Sequence, residues 1–267
     1  MTIFQALVLG VVQGLSEFLP ISSSAHLALI PWLLRWDEPG LAFDVALHAG
    51  TLVAVLWYFR LEWVRLLRAA WNIVRTRQVS TESERRVVLL IIATIPGGIA
   101  GLALNKYAET TFRAPWLIAT AMIVLGVVLW LVDRYASQTR SLGAMRWQDA
   151  LLMGIAQIFA LIPGVSRSGS TITMGRADRL DRESAAVFSF LMSMPIIGAA
   201  AVLEVPHALR TYGLSLALVV GVIASAVSGW LAISVLLRFV ARHSYGVFAV
   251  YRIVIGVAVL AVVYLRG

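Results

Sequence analysis

Two stretches of this chain are near copies of one another. ALVLGVVQGLSEFLPISSSAH, from Ala6 to His26, and ALLMGIAQIFALIPGVSRSGS, from Ala150 to Ser170, align at one offset, at which Ala6, Leu7, Gly10, Gln13, Ser22 and Ser24 match Ala150, Leu151, Gly154, Gln157, Ser166 and Ser168. Each copy is an apolar run of about a dozen residues that stops at a proline and a cluster of hydroxyls, whereas a spanning helix takes about 20. Paired short, interrupted apolar segments in two halves of a chain point to a site near the middle of a bilayer.

The bilayer itself follows from composition. Of 267 residues 60% are hydrophobic and 13% charged, with a mean hydropathy of +0.86, a balance no soluble domain of this length carries on its surface. The reading is an all-α polytopic membrane protein, one integral membrane domain over 1–267, with six transmembrane helices near 43–59, 87–104, 116–132, 184–203, 214–237 and 247–265. Two re-entrant helical hairpins, 2–36 and 147–175, complete an inverted-topology repeat of residues 1–133 and 147–267. No basic residue precedes Arg35, so no cleaved signal peptide is expected. With no cysteine, disulfides, thiolate metal sites and a cysteine nucleophile are excluded.

A net charge of +8 could suggest nucleic acid, but the basic residues fall in short gaps between apolar runs rather than on one face. Loops 60–86, 133–146, 172–183 and 238–246 hold fifteen arginines, whereas the opposite loops and the C-terminus hold only Lys106, Arg113, Arg210 and Arg266. That asymmetry makes the first set cytoplasmic. It requires both hairpins to return to the side they left, the Glu17 hairpin entering from outside and the Arg167 hairpin from the cytoplasm. Their tips then meet inside the membrane, enclosed by protein or lining a wet cavity.

The tips carry the chemistry. Glu17 follows Gln13 by one helical turn, so both face one ligand. After Pro20, Ser22, Ser23 and Ser24 are N-cap candidates whose helix start presents free N–H groups to an anion. His26, three residues after Ser23, stands at nucleophile-and-base spacing. In the second tip, PGVSRSGST combines Gly164 and Gly169 with Ser166, Arg167 and Ser168, and the arginine fork suits phosphate oxygens. Single serines in membrane helices are usually caps or packing residues, and Glu17 with Arg167 alone would be a structural ion pair. A carboxylate, an imidazole, an arginine and several serines gathered at one point favour a site. Asp44 and His48, one turn apart in the first span, are read as structural or interfacial, and Trp57, Trp63, Trp116 and Trp147 as an interfacial belt.

QGLSEFLPISSSAH followed by PGVSRSG, with the later FSFLMSMP segment, resembles the undecaprenyl-diphosphate phosphatase family of the bacitracin-resistance type over essentially the whole chain. The resemblance implies a multi-pass enzyme of the bacterial inner membrane, its site facing the extracytoplasmic side. It would hydrolyse undecaprenyl diphosphate to the monophosphate plus phosphate, recycling the lipid carrier for peptidoglycan synthesis and conferring bacitracin resistance. It implies a divalent cation, Mg2+ or Ca2+, with Glu17 and Gln13 as the metal residues. By motif position Glu17, Ser23, His26 and Arg167 would be catalytic, and Gln13, Ser22, Ser24, Ser166, Ser168 and Gly169 substrate-binding. Gln13 departs from the family's commonest glutamate, leaving one carboxylate fewer. Partners would be the polyprenyl diphosphate, the bilayer and a second copy in a homodimer, with no nucleic acid. Two routes stay open, attack by Ser23 with His26 taking its proton, or water activated by His26. A polyprenyl-phosphate transporter or flippase using the same midplane site is the alternative, since inverted repeats also support alternating access.

Overall fold

In the computed structural model, residues 1–37, 39–110 and 114–266 are described, and among them the regular elements are helices, with one isolated bridge between Arg140 and Leu180. The chain runs α1 (Ile3–Phe18), α2 (Ser23–Leu34), α3 (Leu41–Tyr58), α4 (Arg60–Thr76), α5 (Glu82–Thr110), α6 (Pro115–Tyr135), α7 (Trp147–Ile158), α8 (Arg167–Ala177), α9 (Arg182–Tyr212), α10 (Leu216–Val240) and α11 (Gly246–Arg266). Parts of α5, α6, α9, α10 and α11 are each long and apolar enough to cross a bilayer, and α3 with α4 adds a sixth candidate only as a pair bent by 83°. Arg113, assigned above to a poorly charged loop, lies outside the described residues, as does the side chain of Lys106.

The stretch 60–86 is therefore not a loop throughout. Leu61, Val64, Leu67, Trp71 and Val74 recur at helical spacing and are exposed, while Leu66 and Ala69 are buried against the body. With Arg65, Arg68 and Arg75 beside that apolar stripe, α4 has the make-up of an interfacial helix.

Both short hairpins form for local reasons. A reciprocal capping box opens α1, Thr2 Oγ1 accepting from the Gln5 N–H at 3.2 Å and Gln5 Oε1 accepting from the Thr2 N–H at 2.8 Å. Asp149 Oδ2 accepts from the Arg146 N–H at 2.6 Å at the start of α7. Each helix run then stops where a residue precedes proline and turns extended, Leu19 at φ −66°, ψ 141° and Ile162 at φ −84°, ψ 115°.

Packing exchanges the hairpins between the halves. α1 lies on α10, α7 lies on α5, α3 crosses α9, and α6 lies along α11. The matched glycines Gly10 and Gly154 permit the first two contacts. A Cβ on Gly154 would stand 2.5 Å from the Ala93 carbonyl oxygen, and one on Gly10 would overlap the Gly221 carbonyl. Small residues letting backbones touch are the usual basis of helix association in lipid.

Arg252, fully buried on α11, holds the irregular segments in place. Its guanidinium donates to the carbonyls of Pro20 at 3.2 Å, Gly164 at 2.8 Å and Val165 at 3.0 Å, and Nε donates to Met122 of α6 at 3.2 Å. At the arginine-rich end, Asp133 accepts from Arg176 Nε at 3.0 Å, Arg182 Nε at 2.8 Å and the Tyr245 N–H at 2.9 Å. Nearby, Arg140 pairs with Asp149 and donates to the Asp178 carbonyl at 3.0 Å.

Two outcomes are expected. Arg252→Met strands several buried carbonyls at about 1–3 kcal/mol each, so thermal unfolding in detergent should show a loss of about 3–5 kcal/mol. Asp178 caps the C-terminus of α8, and burial with the Asp149 carboxylate pushes it up to about 6 from 3.8, against the pull of Arg140. The folded chain thus keeps a proton that the unfolded chain has lost, and Asp178 erodes stability as pH rises through that window. Asp178→Asn should raise stability at pH 8 by about 1 kcal/mol after solvent screening, and leave melting near pH 4 unchanged.

Candidate active site

The two tips share one uncommon backbone geometry. Ser22 sits at φ 76°, ψ 94° and Ser166 at φ 71°, ψ 119°. Positive φ in a non-glycine residue costs about 1–3 kcal/mol and persists where surroundings enforce it. Each serine caps the helix that follows, Ser22 Oγ accepting from Ala25 N–H at 3.4 Å and Ser166 Oγ from Gly169 N–H at 3.0 Å. Each also meets the hydroxyl two residues on, Ser24 and Ser168, at 3.2 Å in both tips. The first N–H groups of α2 and α8 have no acceptor within their helices and face outward from the starts.

Between the tips lies a cavity of about 280 Å³, whose polar lining is Glu17, Ser23, Ser24, His48, Gln157, Ser166 and Arg167. Its apolar wall comes mainly from α5 and α9, with Gly97, Gly101, Ile196, Ile197 and Ala200, and is completed by Val45, Ala160 and Leu161. Glu17 is the hub. Its Oε1 accepts from Arg167 at 2.5 Å, across the two tips. Its Oε2 accepts from Ser23 Oγ at 2.6 Å and from Gln13 Nε2 at 3.1 Å, and lies 3.4 Å from His48 Nε2. The carboxylate is buried, so these partners replace the water it has lost. His48 is oriented by its Nδ1, 2.7 Å from the Asp44 carbonyl oxygen.

Three sequence expectations change at this point. The Ser23 hydroxyl is engaged by Glu17, not by His26. A carbonyl only accepts, so His26 Nδ1, 2.7 Å from the Ser22 carbonyl oxygen, carries a proton, and Nε2 lies 2.8 Å from the Tyr251 hydroxyl. Both ring nitrogens are thus committed, and the ring stacks on Tyr251 with centroids 5.7 Å apart. His48, read as structural or interfacial, stands instead beside the carboxylate.

The expected substrate residues divide. Ser24 and Ser166 line the cavity, whereas Ser22 is a buried cap and Ser168 Oγ donates across to the Leu19 carbonyl at 3.1 Å. Gly169 makes room for Arg252, whose NH1 would stand 2.7 Å from a Cβ there. Gln13 is buried behind Glu17, with Oε1 unpartnered among the described residues.

His48 and Arg252 had a signal in the sequence, an ionisable residue inside an apolar run. Gln157 had one as well, the match to Gln13 in the duplication.

Among the described residues no group of three or more His, Asp or Glu forms a ready-made metal cage. The nearby oxygens are the Glu17 carboxylate and Ser23 Oγ, which line the cavity, and the orphan Oε1 of Gln13, buried beside Glu17 and outside the lining. Hard divalent cations, Mg2+ above all, are commonly held by one or two carboxylates with substrate phosphates supplying further oxygens, and this set fits that manner of binding.

The sequence also matches known proteins along its length. The profile of the family described as bacitracin resistance protein BacA matches residues 6–258. A protein of Gemmatimonas aurantiaca named undecaprenyl-diphosphatase is 61% identical over 261 residues, 98% of each chain. Proteins of the same name from Desulforudis audaxviator and Moorella thermoacetica are 48% and 47% identical, covering 99% and 100% of each chain.

Proposed function

The chain belongs to the bacitracin resistance protein BacA family, and from that membership we propose that it is an undecaprenyl-diphosphatase, removing the terminal phosphate of undecaprenyl diphosphate. The observation that carries the reading is the cavity between the tips, where a buried carboxylate, a serine hydroxyl and an arginine are in direct contact. Phosphoryl transfer needs mainly positioning and neutralisation of the non-bridging oxygens. Arg167 and the helix-start N–H groups of the two tips supply both.

Ser23 is the nucleophile in this proposal, and Glu17 Oε2 the base that receives its proton. As Ser23 Oγ bonds to the terminal phosphorus, the bond from that phosphorus to the bridging oxygen breaks. Its electron pair leaves with the lipid monophosphate. Water then attacks the phosphoserine, releases inorganic phosphate and restores the hydroxyl, with the proton returned through Glu17. His26, itself held by the Tyr251 hydroxyl, holds the Ser22 carbonyl, and so the turn that aims Ser23. A bound Mg2+ or Ca2+, held by Glu17 and Gln13 Oε1, would add positive charge beside the phosphates.

The wider role follows from the same reading. Removal of the terminal phosphate regenerates the carrier for peptidoglycan synthesis and accounts for the bacitracin resistance after which the family is described. The excess of arginines in one set of loops supports a cytoplasmic assignment for that set, a bacterial inner membrane location and a site opening to the extracytoplasmic side. The exchanged packing of α1 on α10 and α7 on α5 supports the inverted repeat.

Purified protein in detergent should release phosphate from undecaprenyl diphosphate when Mg2+ or Ca2+ is supplied, and lose that activity with chelator. No release from folded, lipid-binding protein would overturn the proposal. Glu17→Gln and Arg167→Ala should each lower kcat by about 100-fold or more, measured as phosphate release from variants with unchanged melting profiles. Ser23→Ala should abolish turnover, and acid quenching of the wild type with substrate labelled in the terminal phosphate should trap label on Ser23. An unlabelled protein would instead place a water molecule in the attacking position.

A further inference from the structure

The duplication kept two glutamines and gave only one of them a partner. Four residues after Gln13 stands Glu17, which accepts from its amide nitrogen at 3.1 Å. Four residues after Gln157 stands Leu161, whose side chain can accept nothing. Gln157 is buried, and neither Nε2 nor Oε1 has a hydrogen-bond partner among the described residues. An unpaired amide in an apolar interior costs about 2–7 kcal/mol, so one retained at the C-terminal end of α7 calls for a ligand that satisfies it.

The surroundings indicate what that ligand is. Gln157 lines the same cavity as Glu17, Ser23 and Arg167. It faces α5 at Gly97, where even one methyl group would overlap Nε2. Gly97 follows Pro96, and Ile196, Ile197 and Ala200 line the cavity from α9, so the amide is a polar group set in an apolar wall. An amide nitrogen only donates, and fully ionised phosphate oxygens only accept.

We propose that Gln157 is a binding residue for the diphosphate group, with Nε2 donating to a non-bridging oxygen opposite Arg167 and Oε1 holding a water. This deepens the function proposed above and rests on it for the identity of the substrate. The recognised chemistry is a pyrophosphate ester, and inorganic pyrophosphate is its simplest probe.

Stability and activity should move in opposite directions. Gln157→Leu replaces an unsatisfied amide by an apolar side chain of comparable size, so it should melt higher than the wild type. Its kcat/KM for undecaprenyl diphosphate should fall about 10- to 100-fold, the loss of one or two hydrogen bonds to a charged group. Thermal shift titration with inorganic pyrophosphate and Mg2+ should raise the melting temperature of the wild type and leave that of Gln157→Leu unmoved. Gln157→Asn, with a shortened amide, should recover part of both responses.

Equal kcat/KM in wild type and Gln157→Leu overturns the inference and leaves the phosphatase intact. Equal pyrophosphate shifts in the two proteins overturn it as well. A wild type without any phosphatase activity overturns the earlier reading instead, and the pyrophosphate titration then decides the role of Gln157 by itself. If Gln157→Leu does not fold, Gly97→Ala, which crowds the amide without removing it, must reproduce the loss of pyrophosphate response for the inference to stand.

Discussion

One guanidinium on α11 makes the irregular backbone possible. Where the chain leaves helical geometry inside an apolar layer, its carbonyls lose their partners, and lipid offers none. Arg252 collects three such carbonyls, Pro20 from one tip and Gly164 and Val165 from the other, and adds one from α6. The same contacts satisfy the arginine, which has no carboxylate among these partners. The two halves are thereby tied at the point where Glu17 must meet Arg167. The strained serines at the tips, and the empty position at Gly169, are set by that arrangement.

Duplication followed by divergence explains the chemistry of the pocket. At the matched offset the first tip has Glu17 where the second has Leu161, and the second has Arg167 where the first has Ser23. The shared parts are architectural, the capping serines and the glycines that let α1 and α7 approach their neighbours. The unshared parts are a carboxylate, a hydroxyl and a guanidinium, each present once at its position, the carboxylate touching the other two. A duplicated sequence frame thus holds an asymmetric site, as a reaction with distinct attacking and leaving groups requires.

Much of this was legible in the sequence because the decisive signals are local. Pro20 and Pro163 follow directly on the extended residues where the two helix runs stop, and the repeat itself brought Glu17 and Arg167 together on paper. What escaped depends on three-dimensional packing. The spacing of Ser23 and His26 suits a proton transfer, but the capping turn rotates the imidazole toward the Ser22 carbonyl and Tyr251, a residue of α11. His48 reaches Glu17 only because α3 runs beside α1, and Arg252 reaches the tips only because α11 lies along α6. The helix at 60–76 was hidden by its arginines, which read as loop residues under a count of hydropathy alone.

The sharp bend between α3 and α4 works as a depth gauge. Turned by 83° from α3, the amphipathic α4 has the make-up to lie along a membrane surface, and in that position it would fix how far α3 sinks. His48 is ten residues before Tyr58, the last residue of α3, which places it about 15 Å along the helix axis. That is about half of a 30 Å hydrocarbon layer. Glu17, beside it, lies at the same level. A lipid headgroup reaching this carboxylate must leave the zone where headgroups normally reside and descend among the helices, while its tail stays with the other tails. Water for hydrolysis has to make the same journey, so the cavity between the tips rations both reactants.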